Sequence, residues 1–206
     1  MKTRAYLFCV LVVMNVSVQA DDREVQELRK QVQDLTERVA KLEAIVNATA
    51  SKPANDSRVG TPQEKARERM RNDRKIYTQQ QLQEIESLYQ VANKKWQSEE
   101  GKNSLKELID KYDRANRTGC ALLYLGQMST GTDKEEYLKL AIAGFSDCRY
   151  GDGVEVGPFA RFVLAGYLRK NGQPEKADEL INEIKTLYPD AIDHRGKPLL
   201  ESTDVK

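Results

Sequence analysis

The sequence predicts an all-α protein, an N-terminal parallel coiled coil followed by a stack of about three helix pairs, and three observations predict it. Apolar residues from Val25 to Val46 keep a strict alternation of three and four. Small residues and apolar anchors recur at a fixed interval between Leu88 and Ile184. With only 12 Gly and 6 Pro among 206 residues, and 32% of them charged, the composition favours helices with long solvated faces over a β protein rich in turns.

The first 20 residues are expected to be an address rather than part of the fold. A basic start at Lys2 and Arg4, an apolar run from Ala5 to about Val18 and a small-residue exit at Val18-Gln19-Ala20 have the layout of a secretory signal peptide cleaved after Ala20. The run is shorter than the roughly 20 apolar residues a membrane span needs. Tyr6-Leu7-Phe8-Cys9 lacks the small residues of a lipidation site. Cleavage removes two of 33 basic residues and none of 32 acidic ones, so the mature chain carries a net charge of −1 and is expected to bind no nucleic acid. A periplasmic or secreted location follows, with no integral membrane span after cleavage.

Residues 21–46 carry the heptads. Val25, Val32, Val39 and Val46 occupy a positions and Leu28, Leu35 and Leu42 the d positions. Glu24 would face Arg29, and Arg38 would face Glu43, across neighbouring parallel chains, and both pairs attract. β-branched residues at a with Leu at d suit two strands. Against this, Arg38-Val39-Ala40-Lys41-Leu42-Glu43 resembles the Arg-h-x-x-h-Glu trimerisation motif of short coiled coils, so a homotrimer is favoured over a dimer. Residues 47–60 are small and polar, contain Pro53 and read as a flexible linker. Asn47, Asn55 and Asn116 each begin an Asn-x-Ser/Thr triplet, the N-glycosylation pattern.

Residues 61–190 form the predicted helical domain. Thr61-Pro62-Gln63-Glu64 is a capping box with Pro at the first helical position, and a long helix is expected from there toward Trp96. A shift of 34 lays Leu88 on Leu122, Ala92 on Gly126, Ser104 on Leu138 and Leu108 on Ile142. A further shift of 39 lays Gly126 on Ala165, Leu138 on Ala177 and Phe145 on Ile184. The helix pairs are therefore Leu82 to Trp96 with Asn103 to Tyr112, Thr118 to Met128 with Lys134 to Asp147, and Pro158 to Lys170 with Pro174 to Leu187. Residues 191–206 read as a charged tail.

This period, with small residues at the helix crossings and Pro189 closing the last unit, resembles the tetratricopeptide repeat. Leu125-Gly126, Ala165 and Ala177 match its motif positions, whereas Leu138 stands where the repeat is small. The resemblance implies a concave face lined by first-helix residues, here Leu123, Gln127, Phe159, Phe162, Arg169 and Lys170, suited to an extended or helical peptide of some acidic character. The Gly-rich insertion 148–158 is a second candidate, presenting Arg149, Tyr150 and Asp152. Cys120 and Cys148 fall near the same end of one helix pair and are candidates for a structural disulfide.

With one His, and no Cys pair at metal-ligand spacing, no catalytic residue, cofactor or metal is expected. The rival reading, a metal-dependent envelope enzyme, would rest on Asp190, Asp193 and His194. The order of leader, coiled coil, linker and repeat stack resembles the Tol-Pal-associated periplasmic cell-division coordinator family, which implies a non-enzymatic envelope scaffold that binds a protein partner. A component of outer-membrane assembly or export is the alternative in the same class. Light scattering of the mature chain is expected to give the mass of three chains, and a chain beginning at Thr61 the mass of one. A monomer in both would remove the heptads' oligomeric role.

Overall fold

The computed structural model describes residues 60–202 continuously, and before them Val25, Gln26, Arg29, Lys30 and Gln33, which are helical and exposed. The chain divides into two units, residues 1–50 and 51–206. Among the oligomerisation residues only Val25 lies within the described set. Leu28, Val32, Leu35, Arg38, Val39, Leu42, Glu43 and Val46 lie outside it, as do the leader and residues 47–59 of the linker.

Among its described residues the second unit is all-helical. Seven α-helices follow one another: α1 Pro62–Asp73, α2 Gln79–Lys94, α3 Glu99–Lys111, α4 Asn116–Met128, α5 Gly131–Gly144, α6 Val156–Lys170 and α7 Pro174–Leu187, with a final 3-10 turn, Leu199–Glu201. From α2 onward each helix packs on the next, α2 also meets α4, and α4 meets α6. That is a quasi-linear array in which α2/α3, α4/α5 and α6/α7 are successive pairs. No described helix is long and apolar enough to cross a membrane.

The helix starting at Thr61 is shorter than expected. Its capping box forms: Thr61 Oγ1 accepts from the Glu64 amide at 3.2 Å, and the Thr61 amide donates to Glu64 Oε2 at 2.8 Å. It ends at Asp73, whose carbonyl accepts from both Ile76 and Tyr77. A second box, in which Gln81 caps the Thr78 amide at 2.9 Å, then opens α2. The break turns Tyr77 inward, edge-to-face on Tyr112 at 5.6 Å, and lets its hydroxyl accept from the Arg114 amide.

The core follows the register read from the sequence. Ala92, Gly126 and Ala165 are all buried, and so are Ser104, Leu138 and Ala177. Ser104 adds a hydroxyl bond to the Leu88 carbonyl at 2.6 Å, tying α3 to α2. Leu138, large where a small residue was expected, packs directly over Gly126: a Cβ there would stand 2.6 Å from Leu138 Cδ2. The space that one helix gives up, its neighbour fills.

Asn116 is wholly buried at the start of α4. Its amide nitrogen donates to the Arg149 carbonyl and its amide oxygen accepts from the Arg149 amide, both at 2.8 Å, while its own backbone N–H donates to Asp73 Oδ2 at 2.9 Å. The glycosylation triplet at this position is therefore sequestered in the folded chain.

The Gly-rich insertion is not a projecting loop. Residues 149–155 close a tight turn with a bridge between Arg149 and Glu155, and Gly153 at φ 101° takes the left-handed position. Val154 and Val156 are buried within it, and Gly153 lies so close to Pro62 that a Cβ would meet it at 2.5 Å. Nor is 191–206 simply a charged tail as far as it is described. Ile192 bridges Pro198, Leu199 is buried against α6, and Asp193, 2% exposed, accepts from the Arg195 and Lys197 amides at 2.9 Å.

Gly157 packs on the α5–α6 connection, where an added Cβ would lie 2.7 Å from Ser146 Cβ and 2.8 Å from its Cα. Backbone cannot step aside as a side-chain tip can. Gly157→Ala is expected to destabilise by about 1–3 kcal/mol in urea unfolding. Gly151→Ala, whose Cβ meets nothing within 4 Å, should stay within about 0.5 kcal/mol of the parent.

Candidate binding cleft

The sequence-derived concave residues do not form one surface. Leu123 and Phe159 belong to the core. Phe162 is partly buried beside Phe159, with ring centres 6.4 Å apart. Arg169 and Lys170 lie at the exposed end of α6, where Arg169 pairs with Asp178 of α7 at 2.6 Å. Gln127 alone of the six lines a cleft, of about 380 Å³, whose other walls are Tyr89, Asn93, Trp96, Arg117, Tyr124, Tyr150, Gly151, Asp152 and His194.

Helices α2 and α4 supply half of this lining, Tyr89, Asn93, Arg117, Tyr124 and Gln127, and Trp96 stands two residues beyond the end of α2. The periodic faces of α2 and α4 that bury Ile85, Ala92, Leu122 and Leu125 leave Asn93 on one helix and Gln127 on the other at the same repeat position, 34 residues apart. Tyr124 stands edge-to-face with Trp96 at 4.6 Å and tilted to Tyr89 at 6.2 Å. Its hydroxyl reaches the Ala92 carbonyl at 3.4 Å. Trp96 is 49% exposed, a large aromatic left open to solvent.

Arg117 and Asp152, the two charged residues of the lining, each hold a side-chain partner. Arg117 stacks over the Tyr89 ring at 4.4 Å and pairs with Glu86 through bonds of 2.8 and 3.2 Å. Burial works against its charge, but Glu86 more than compensates and its pKa is raised. Glu86 itself, opposed by burial but bonded to Gln90 and Arg117, sits below the ordinary carboxylate value.

At the other end the 149–155 turn meets the 191–198 turn. His194 Nδ1–H donates to Asp152 Oδ2 at 2.7 Å, and the imidazole lies edge-to-face on Tyr150 at 4.9 Å and against Phe159 at 5.2 Å. Of the three loop candidates, then, Tyr150 is packed inward with its hydroxyl donating to the Cys120 carbonyl at 3.2 Å, and Arg149 pairs with Glu155 at 2.9 Å. Asp152 alone faces outward, toward His194. Burial, reinforced by nearby Tyr89, holds the Tyr150 hydroxyl well above its usual range, and burial with Cys120 beside it does the same for Tyr89. Both stay protonated.

Asp190, Asp193 and His194 do not converge. Asp193 is committed to its own turn and His194 to Asp152. Among the described residues no group of three or more His, Cys, Asp and Glu side chains could hold a metal ion. The expected disulfide is not formed either: Cys120 and Cys148 are free, buried thiols. The Arg69 guanidinium donates to Cys148 Sγ at 3.4 Å and to Asp73 at 2.7 Å, so Cys148 packs inside a polar cluster at the α1–α4 junction.

Tyr89, Asn93, Trp96, Arg117 and Tyr124 were not singled out from the sequence. A signal for two of them was there, since Tyr89 and Asn93 stand 34 residues before Leu123 and Gln127. Comparison with family models, curated proteins and solved structures finds no match for the chain.

Burial pushes the Cys120 thiol up to about 12 and the Cys148 thiol well above its ordinary 9.0. Raised acids keep their protons in the folded chain and lose them first in the unfolded one. Stability is thus fully present below pH about 8.5 and declines as pH rises from the ordinary thiol range toward the folded values. The thermal midpoint should fall across that window, with a shallower fall in Cys120→Ala. Both thiols should resist a thiol-labelling reagent at pH 8 until denaturant is added, read by mass spectrometry of their peptides.

Proposed function

We propose that the chain is a non-enzymatic, oligomeric scaffold of the cell envelope that holds a protein partner against the α2/α4 face of its helical stack. The cleft carries this reading. It offers the exposed Trp96 ring, the side-chain amides of Asn93 and Gln127 and an Arg117 already paired with Glu86, and half of its lining stands on helices of successive pairs. In this reading the pairs are tetratricopeptide-type units, the heptads supply a homotrimer, and the leader delivers the chain to the periplasm. Three copies of one modest site then act together, and a partner with repeated segments gains avidity that a single cleft could not supply. Such an assembly fits a coordinator of envelope constriction during division, as the resemblance of its architecture implies.

Photo-crosslinking in producing cells tests the reading. A crosslinking residue at Asn93 or Gln127 is expected to capture a discrete envelope protein, and one at Lys139, exposed on α5, to capture none. Trp96→Ala should abolish the adducts from the cleft. Capture from Lys139 alone would move the binding surface to the other helix layer and sink this assignment.

A further inference from the structure

We infer that the cleft takes an uncharged, proline-rich segment in the polyproline II conformation, an inference that rests on the reading of this face as a peptide-binding surface. Four features of the site converge on that ligand.

The first is the lining itself. Its open apolar surface comes chiefly from Trp96 and Tyr124, with Tyr89 buried behind Arg117 and Tyr150 packed inward, and no aliphatic side chain lines it. An amphipathic helix docks by seating Leu and Ile anchors in apolar pockets, whereas polyproline II segments dock against aromatic walls. The second is charge. Arg117 is neutralised by Glu86 and Asp152 faces His194, so an acidic side chain or terminal carboxylate would have to displace a partner already in place.

The third is ring geometry. The Trp96 and Tyr124 planes meet at 83° and those of Tyr89 and Tyr124 at 56°. The Trp96 and Tyr124 faces are thus angled to each other rather than coplanar, and a puckered pyrrolidine ring can lie in the corner they make. A pyranose would instead call for a flat open face.

The fourth is hydrogen bonding. The side-chain amides of Asn93 and Gln127 and the Trp96 indole N–H make no hydrogen bond with any described residue. A polyproline II backbone presents carbonyls with no internal partners, which the NH2 groups of the two amides and the indole N–H can bind, while proline has no N–H that would need an acceptor. Spacing agrees as well. Asn93 and Gln127 lie on packed helices, α2 and α4, whose axes at contact are about 8–10 Å apart. One turn of polyproline II, three residues of about 3.1 Å, covers about 9 Å. Two carbonyls three residues apart on one edge of the ligand are thus spaced about as the two helices are.

Trp96 is the only tryptophan in the chain, so its fluorescence reports on the cleft directly. The full mature chain is titrated with a capped proline peptide of about twelve residues, with a capped peptide of equal length built from Ser, Thr and Val, with an acidic amphipathic helix, and with a chitin tetrasaccharide. A saturable spectral shift with the proline peptide alone is expected. The double variant Asn93→Ala/Gln127→Ala, its thermal midpoint unchanged, should weaken binding by at least about tenfold. Calorimetry should show the same loss in Trp96→Ala, which has no tryptophan signal. Saturation by either of the other peptides, with none by the proline peptide, would overturn this inference and leave the peptide-binding reading standing. Saturation by the sugar alone, or by nothing, would overturn both. Proline binding that the double variant leaves intact would remove the amide ladder and with it the proposed pose.

Discussion

The bidentate grip of Asn116 on the Arg149 backbone is the interaction on which the rest of the domain depends. Through it α4 is fixed to the turn that follows α5, and through its own N–H it is fixed to Asp73 at the end of α1. All three groups are withdrawn from water, so losing any one leaves a buried donor or acceptor unmatched, at a cost of about 1–3 kcal/mol. Helix α4 also packs on α2, α3, α5 and α6. Its position therefore sets where Arg117 and Tyr124 stand, and where the backbone carbonyl of Cys120 waits for Tyr150. The neighbouring Arg69 cluster adds a second tie, since its guanidinium spans Asp73, Asp147, Cys148 and the Arg114 carbonyl.

The cleft illustrates how charged side chains can frame an aromatic surface by engaging one another. Arg117 and Glu86 come from different helices, Asp152 and His194 from different turns, and both pairs stand partly open to water. The pairs do more for shape than for stability, because ion pairs as exposed as these contribute little. Arg117 holds the plane of Tyr89, and the Asp152–His194 contact holds the 191–198 turn against Tyr150 and Phe159. What remains facing outward is aromatic surface and amide.

Much of the helical domain was legible in the sequence. The pairs appear within a few residues of their expected bounds because Pro174, Gly126, Ala165 and the alternation of buried residues carry local and tertiary signals that agree. The break between α1 and α2 was not legible in the same way. α1 has little apolar periodicity to mark where it stops, and the second capping box uses Gln81 in place of Glu. Tyr150, Leu199 and Asp193 look like surface residues in their own neighbourhoods. Their burial is decided by partners such as α6 and the Cys120 carbonyl, which no local pattern announces. Of the concave residues carried over from the repeat pattern, Phe159 lies against His194 of the 191–198 turn, a partner that no local pattern announces, and Gln127 alone borders the cleft.

One more consequence follows from the contact of the Gly153 turn with Pro62 and Gln63. An array of helix pairs ordinarily assembles from local contacts, each pair docking on the last. Here Gln63 donates to the Asp152 carbonyl at 3.0 Å across 89 positions of sequence, and part of what secures α1 belongs to the second half of the domain. During synthesis α1 emerges first and waits while four further helices are made, before the turn that covers it arrives. Its strongly charged sequence, with Ala66 and Asp73 its only buried members, is what a segment in that position requires: it can stand in water unaccompanied without offering a surface for aggregation.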